Sequence, residues 1–215
     1  MSELVALASG AEARRTNGAR ERMVVCLNGG QRRELTGTWS ASLEWFVKAL
    51  APRFPRLGFL EVRYRIRSWR RLELCVEDAR AAIAAGGGER TLLVGFSMGG
   101  AVSISAAGET GVAGVLGLAP WIPEQLELSP LAGRRLDVLH GSLDRRLPGL
   151  PGVSSASSRR GFERARSLGI AGSYTLIAGG LHGLALRAPG GAVVRLPRAA
   201  AWARLAAAQL DWFAA

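Results

Sequence analysis

Apolar residues follow two alternating patterns along the chain. Short segments rich in apolar residues are typical of buried strands, and they predict strands at 23–27, 58–66, 91–96, 112–118, 136–139 and 174–177. Apolar residues at helical spacing predict amphipathic helices at 40–51, 72–85, 98–107, 158–168 and 197–213. This alternation predicts an α/β fold, in which a mostly parallel central sheet of six to seven strands carries helices on both faces.

The length and the spacing of these elements favour a single domain. Residues 23–215 are enough for one sizeable core, and the polar, Arg-rich stretch before them predicts a flexible segment at 1–22. Only residues 121–135 separate two predicted strands at the place where a helical cap would be inserted. We therefore expect a minimal cap domain or none, and at most a short flap that carries Trp121.

The amino-acid composition limits the cellular compartment and the kinds of binding site that can be expected. No apolar stretch approaches the length of a membrane span, and the first residues lack the pattern of a secretion signal. Cys26 and Cys75 fall at apolar positions of a predicted strand and a predicted helix, which favours buried thiols over a disulfide. Two histidines and two cysteines far apart make a metal site improbable. We expect a cytoplasmic protein with neither a metal nor an organic cofactor.

The strongest chemical motif is the pentapeptide Gly95-Phe96-Ser97-Met98-Gly99, between a predicted strand and a predicted helix of small residues. A G-x-S-x-G sequence in that context predicts a nucleophile elbow, which exposes the serine hydroxyl at a sharp strand-to-helix turn. Side chains two residues either side of the serine would collide, so Gly95 and Gly99 are required by the turn. The N–H of Met98 would then point to a developing oxyanion.

A serine nucleophile needs a base and an acid, and few residues qualify. The base must be a histidine, and the chain has only His140 and His182. With the order Ser, Asp/Glu, His, the acid lies between Ser97 and the histidine. Asp144 and His182 each follow a predicted strand, as Ser97 does, and ligands bind at that edge of an open α/β sheet.

Other assignments remain open from the sequence. His140 is an alternative base, although it precedes Asp144 by only four positions. Asp137 is an alternative acid, but it opens its strand and belongs at the other end of the sheet. Glu124 and Glu127 follow the preceding strand, where a carboxylate is also reachable.

From about Met23 to the C-terminus, the chain resembles the α/β-hydrolase superfamily. The segments that carry this resemblance are Leu27-Asn28-Gly29-Gly30, the elbow pentapeptide, His140-Gly141-Ser142-Leu143-Asp144 and Gly179-Gly180-Leu181-His182. The resemblance implies that Ser97 is the nucleophile, His182 the general base and Asp144 the acid that orients it.

The resemblance also implies an oxyanion hole. One donor would be the N–H of Met98, and the second would come from Gly30 or Gln31 in a loop that has Asn28 where the superfamily often has histidine. We expect the substrate itself to be contacted by Asn28, Gly29, Trp121 and Leu181.

The chain carries a net charge of +11, and nearly all of its basic residues are arginine. Several arginines follow predicted strands or site motifs: Arg32, Arg33, Arg63, Arg65, Arg67, Arg70, Arg71, Arg145 and Arg146. One interpretation is an anionic substrate or leaving group, and the other is an Arg-rich surface paired with residues such as Glu61, Glu73, Glu77 and Asp78. No recognition motif for nucleic acid accompanies the charge.

These observations predict a serine hydrolase that acts on a small ester or thioester through an acyl-enzyme. A lidless peptidase or acyltransferase would use the same residues. A binding module without catalysis, built on the same fold, is the alternative from a different class.

Overall fold

The computed structural model describes residues 2–144 and 152–215. Its central feature is a mixed sheet of eight strands with the order β1-β2-β4-β3-β5-β6-β7-β8. The strands are β1 (Glu3–Ala6), β2 (Glu12–Thr16), β3 (Arg22–Leu27), β4 (Leu57–Arg63), β5 (Arg90–Phe96), β6 (Val112–Leu118), β7 (Arg135–Gly141) and β8 (Tyr174–Ile177). The six strands from β4 to β8 in this order are parallel, whereas β1 and β2 are antiparallel additions at one edge.

In the described residues, five α-helices cover both faces of the sheet, as the sequence predicts. They are α1 (Ala41–Leu50), α2 (Leu72–Gly86), α3 (Met98–Ser105), α4 (Ser155–Ser167) and α5 (Ala199–Ala214). Apolar residues of α1 and α5 form one core layer with the sheet, and those of α2, α3 and α4 form the other. The central strands are buried on both sides, which is why they are continuous apolar runs rather than alternating ones.

Local signals place the ends of these helices. Ser40 precedes α1 with an extended backbone, and its hydroxyl accepts a hydrogen bond from the N–H of Leu43. Gly87 ends α2 in the left-handed conformation, at φ 66°, as the run of glycines predicts. Cys26 and Cys75 are both buried free thiols, and burial raises the pKa of each.

The N-terminus corrects two predictions. Residues 3–16 form the β1–β2 hairpin instead of a flexible segment, so the sheet has eight strands rather than six or seven. The β2 strand pairs with β4, and Arg14 lies 3.0 Å from the carboxylate of Glu61 on that neighbouring strand. This edge is held by backbone pairing and ion pairs, which leave little apolar pattern in the sequence.

The connection between β6 and β7 is short and holds one 3-10 turn, Ser129–Leu131, so it contains no cap domain.

A second element that the sequence analysis missed lies after β8. It is a hairpin of β9 (Ala185–Arg187) and β10 (Val193–Arg195) beside α1. In the described part of the chain, no helix is long and apolar enough to cross a membrane.

Candidate active site

Ser97 lies in the sharp turn between β5 and α3, with φ 55° and ψ −118°. This conformation is costly for a residue with a side chain, and it persists only where the surroundings impose it. A Cβ atom at Gly95 would lie 2.3 Å from the carbonyl oxygen of Gly99, and one at Gly99 would lie 2.0 Å from that of Leu27. Both glycines are therefore required by close backbone approach, as the motif predicts.

Three backbone hydrogen bonds hold this turn. The N–H of Ser97 donates to the carbonyl of Leu118 at 3.0 Å, which ties the elbow to the end of β6. The carbonyl of Ser97 accepts from Gly100 at 2.9 Å and from Trp121 at 2.8 Å. The neighbouring strand and the connection that follows it thus fix the strained serine in place.

Trp121, predicted to contact substrate, is not among the described residues that line the cleft around Ser97. Its partly buried side chain packs against the core layer of α2, α3 and α4, with its ring centroid 6.5 Å from that of Trp69. Ile122, the next residue of the predicted flap, is buried in the same layer. The connection therefore contributes a backbone hydrogen bond to the carbonyl of Ser97, and its residues do not line the cleft.

Asp144 follows β7 and its carboxylate is buried. Its Oδ2 lies 2.7 Å from Nδ1 of His182 and 3.0 Å from Nε2 of His140, and its Oδ1 accepts from the N–H of Val153 at 3.2 Å. Burial raises the pKa of Asp144, but the hydrogen bonds from the two histidines outweigh it, so the pKa is lowered. The carboxylate is accordingly ionised at neutral pH.

His182 lies in the loop after β8 and remains partly exposed, at 16% for its side chain. Its ring packs on that of Phe96, with the centroids 5.1 Å apart. The loop is anchored by Ser42 of α1, whose Oγ accepts from the N–H groups of Leu184 and Ala185 at 3.1 and 3.3 Å. Because Nδ1 faces Asp144, Nε2 is the nitrogen left for another partner.

The alternative base and acids do not line the cleft that contains Ser97. His140 is fully buried, and its Nε2 also lies 2.9 Å from the carbonyl oxygen of Val153. Asp137 binds Arg135 and the hydroxyl of Ser173, towards the start of β7. Glu124 lines a separate depression near α4. Neither these residues nor Glu127 are among those that line the cleft around Ser97.

A cleft of about 810 Å³ opens at the carboxyl edge of the sheet. The residues of the predicted site that line it are Asn28, Gly29, Gly30, Ser97, Asp144, Leu181 and His182. Gln31 is not in this lining, because its backbone pairs with the segment at Ser68 and Trp69. The structure thus brings together the residues predicted for catalysis and most of those predicted to contact substrate.

The loop after β3 packs directly on the elbow. A Cβ atom at Gly29 would lie 3.2 Å from Cβ of Ser97, and one at Gly30 would lie 2.2 Å from Sδ of the buried Met98. The N–H of Gly29 donates to Oδ1 of Asn28 at 2.6 Å, and Nδ2 of Asn28 donates to the carbonyl of Thr38 at 2.8 Å. Asn28 therefore shapes the loop, and its side chain is already engaged.

Several cleft residues were missed by the sequence analysis. They are mainly apolar or cationic and include Trp39, Leu143, Leu186, Arg187 and Leu196. Arg63 and Arg67, which the sequence analysis named as possible contacts of an anionic substrate, also line the cleft. Trp39 is held beneath two guanidinium groups, with Cζ of Arg14 4.3 Å and that of Arg63 5.4 Å from its ring. The Gly190-Gly191 turn between Leu186 and Val193 was a usable hairpin signal.

Among the described residues of this arginine set, Arg63, Arg65 and Arg71 have carboxylate partners, in line with the interpretation of a paired surface. Arg65 binds Asp78 at 2.7 Å and Glu77 at 2.8 Å, and Arg71 binds Glu73 at 2.7 Å. Arg145 and Arg146 lie outside the described residues. Within residues 2–144 and 152–215, no group of three or more His, Cys, Asp or Glu side chains is placed to hold a metal ion.

Comparison by sequence gives no match, since no family model and no curated protein matches the chain. Comparison by structure gives many. A sugar hydrolase from Lactococcus lactis has a TM-score of 0.71 at 15% identity, over 99% of this chain and 97% of that one. A carboxylesterase from Lactobacillus plantarum has a TM-score of 0.69 at 16% identity, over 98% and 96%.

A third solved structure agrees over nearly its whole length. An α/β hydrolase from a Medee basin deep-sea metagenome library has a TM-score of 0.71 at 16% identity, over 99% of this chain and 98% of that one. At identities this low, a structural match indicates a shared fold and does not indicate a shared substrate. Together with the sheet order and the serine elbow, these likenesses establish that the chain has the α/β-hydrolase fold.

Proposed function

We propose that this protein is a serine hydrolase that cleaves a small ester or thioester, with Ser97 as nucleophile, His182 as general base and Asp144 as orienting acid. The observation that carries the proposal is the 2.7 Å contact between Nδ1 of His182 and Oδ2 of Asp144, in the cleft that the strained Ser97 also lines. Named hydrolases and esterases among the structural neighbours support the same reaction class.

In the first half of the proposed reaction, Oγ of Ser97 attacks the carbonyl carbon while Nε2 of His182 takes the hydroxyl proton. Asp144, ionised and fixed by its hydrogen bonds, stabilises the imidazolium that forms. When the tetrahedral intermediate collapses, the leaving alkoxide or thiolate takes the proton from His182, and the acyl group stays on Ser97.

Charge on the carbonyl oxygen must be stabilised during attack. Met98 begins α3, so its N–H belongs to the first turn, which has no partner within the helix. Gly30 is the proposed source of the second N–H, because it lines the cleft against Met98 and the N–H of Gly29 is already bonded to Asn28. Gln31, the other predicted donor, is the weaker candidate since its backbone pairs with the segment at Ser68 and Trp69.

In the second half, water attacks the acyl-enzyme and gives its proton to Nε2 of His182. Collapse of this intermediate releases the carboxylic acid and returns the proton to Ser97. The absence of a cap over the cleft in the β6–β7 connection favours small substrates that need no enclosing lid.

Labelling with a fluorophosphonate tests the nucleophile without knowledge of the substrate. We expect a covalent adduct on Ser97 at neutral pH, located by mass spectrometry, and no adduct in Ser97→Ala or His182→Ala. Against a panel of short-chain esters and thioesters, loss of Ser97 or His182 should lower kcat by about a million-fold, and loss of Asp144 somewhat less.

Ser105 provides a matched control, because it also lies in α3 but outside the cleft lining. Ser105→Ala should label as the wild type does. A folded wild-type protein that forms no adduct and cleaves no ester would contradict the proposal and favour a binding module. An adduct that survives Ser97→Ala would place the nucleophile elsewhere.

A further inference from the structure

The cleft lining is dominated by positive charge. Among the described residues that form it, Arg63, Arg67 and Arg187 are cationic and Asp144 is the single carboxylate, already bound by His182. Two of these arginines are neutralised by ion pairs with carboxylates. Arg63 forms an ion pair with Glu12, and Arg187 lies 2.8 Å from the carboxylate of Glu44.

Arg67 is the exception. Within the described residues it has no carboxylate within ion-pair distance, and its buried Nε has no hydrogen-bond partner. The seven residues at 145–151 include neither Asp nor Glu. Burial lowers the pKa of Arg67, which reports the cost of removing this cation from water. An uncompensated, half-buried guanidinium is unfavourable unless an anion joins it.

The backbone holds Arg67 at this position. Its N–H donates to the carbonyl of Leu35 at 2.9 Å, and the N–H of Gly37 donates to the carbonyl of Arg65 at 3.3 Å. A Cβ atom at Gly37 would lie 1.7 Å from the carbonyl oxygen of Tyr64, so the backbone at Gly37 packs directly against the backbone at Tyr64. The start of the Arg67 side chain is therefore fixed by strand-like pairing beside the cleft.

We propose that Arg67 binds a carboxylate of the substrate, so that the preferred substrates are esters or thioesters carrying a second, free carboxylate group. This inference rests on the proposed hydrolase function. A guanidinium forms paired hydrogen bonds with a planar carboxylate. One uncompensated cation matches a monoanion, whereas a phosphate dianion would leave a charge unpaired. The apolar side chains of Trp39, Leu181 and Leu186 line the same cleft and suit a short hydrocarbon between the two groups.

The test compares matched substrates. The kcat/KM values are measured for monomethyl esters of succinate, glutarate and adipate and for methyl pentanoate, which has no second charge. We expect the wild type to prefer at least one half-ester, and Arg67→Gln to lower that preference ratio by about ten- to a hundredfold. Arg67→Lys should retain part of the ratio because it keeps the charge but loses the paired geometry.

Arg70 provides the control. It is exposed and lies in a separate depression with Arg32 and Arg33, so Arg70→Gln removes the same charge without touching the cleft. The preference ratio should be unchanged in this variant. An equal loss in both variants would assign the preference to the overall field of the protein and overturn a role for Arg67. If the wild type cleaves methyl pentanoate with a kcat/KM equal to or above that for every half-ester, the inference is overturned and the proposed hydrolase function still stands.

Calorimetry separates failure of the inference from failure of the function. Monomethyl glutarate, a monoanion that Ser97→Ala protein should leave uncleaved, is titrated into that protein with and without Arg67→Gln. Binding that Arg67→Gln weakens at least tenfold supports the carboxylate site even if no ester is cleaved. Equal binding by both proteins, or no binding by either, contradicts it.

Discussion

Nε2 of His140 lies 3.0 Å from Oδ2 of Asp144, so a fully buried imidazole contacts the carboxylate oxygen that also faces His182. The same nitrogen lies 2.9 Å from the carbonyl oxygen of Val153. Both partners accept hydrogen bonds, which assigns the proton of a neutral His140 to Nε2. Nδ1 of His140 has no partner among the described residues, as this tautomer allows. His140 thus links the acid to the segment that precedes α4.

Replacing His140 by Phe should keep the ring volume and remove this N–H. We expect kcat for the best ester to fall about ten- to a hundredfold with little change in KM, because His140 positions Asp144 and does not line the cleft. The free energy of unfolding should fall by about 1–3 kcal/mol, since the carbonyl of Val153 loses its buried donor. Steady-state kinetics and urea denaturation measure the two effects.

His140→Gln is the companion variant, because its side-chain amide offers an N–H donor at similar reach. It should recover part of the loss in kcat. If Phe and Gln give the same kcat as the wild type, His140 has a role in packing only, and Asp144 is positioned by its other contacts.

Gly30→Ala should disturb the oxyanion hole more than the fold. The added methyl group would lie 2.2 Å from Sδ and 2.6 Å from Cε of Met98, the flexible end of a side chain whose backbone N–H is the proposed first donor. A shift of either donor weakens stabilisation of the transition state, and loss of one donor costs about a hundred- to a thousandfold. We expect a loss of about ten- to a hundredfold in kcat at nearly constant KM.

Gly190→Ala is the matched control, since no atom lies within 4 Å of the added group. It should leave kcat unchanged. Met98→Val shortens the obstructing side chain, so the double variant Gly30→Ala/Met98→Val should regain activity relative to Gly30→Ala alone. Wild-type kcat in Gly30→Ala would argue that the loop after β3 supplies no oxyanion donor.

The parts of the fold that were predictable share a strong local pattern. β6 and β8 match their predicted bounds because continuous apolar runs end at clear breaks. The elbow was predictable because its glycines are demanded by backbone contacts within one turn and with the next strand. The candidate base was restricted by composition, since the chain holds only two histidines.

The parts that were missed depend on contacts distant in sequence. β2 contains Arg14 and Arg15, whose partners Glu61 and Ala85 lie far along the chain, so the strand has no local apolar signature. Trp121 follows a strand at the correct edge of the sheet, but the direction of its side chain depends on packing against Trp69. The arginines were visible as a cluster, but only the fold shows that Arg67 lines the cleft and, unlike Arg63 and Arg187 there, has no carboxylate partner among the described residues.

Acid should weaken the fold through Asp144. Its pKa in the folded protein is below the ordinary value of 3.8, because donation from His140 and His182 outweighs the effect of burial. A lowered pKa means that the stabilisation is complete above about pH 3.8 and disappears as pH falls through the folded-state pKa. Glu61 acts in the opposite direction, since burial raises its pKa despite Arg14, and protonation there stabilises the folded state.

Asp144→Asn isolates this effect, because Glu61 is common to both proteins and cancels in the difference. At pH 7 the variant should be less stable by about 1.5–3 kcal/mol, the range for a hydrogen bond to a charged group. As pH falls below about 3.8, the wild type should lose this advantage, so that the two curves of unfolding free energy against pH converge. Urea midpoints measured from pH 7 to pH 2.5 give both curves. A constant difference across that range would show that ionisation of Asp144 does not contribute to stability, and a difference of zero at pH 7 would show that its contacts with the two histidines are worth no more than those of a neutral amide.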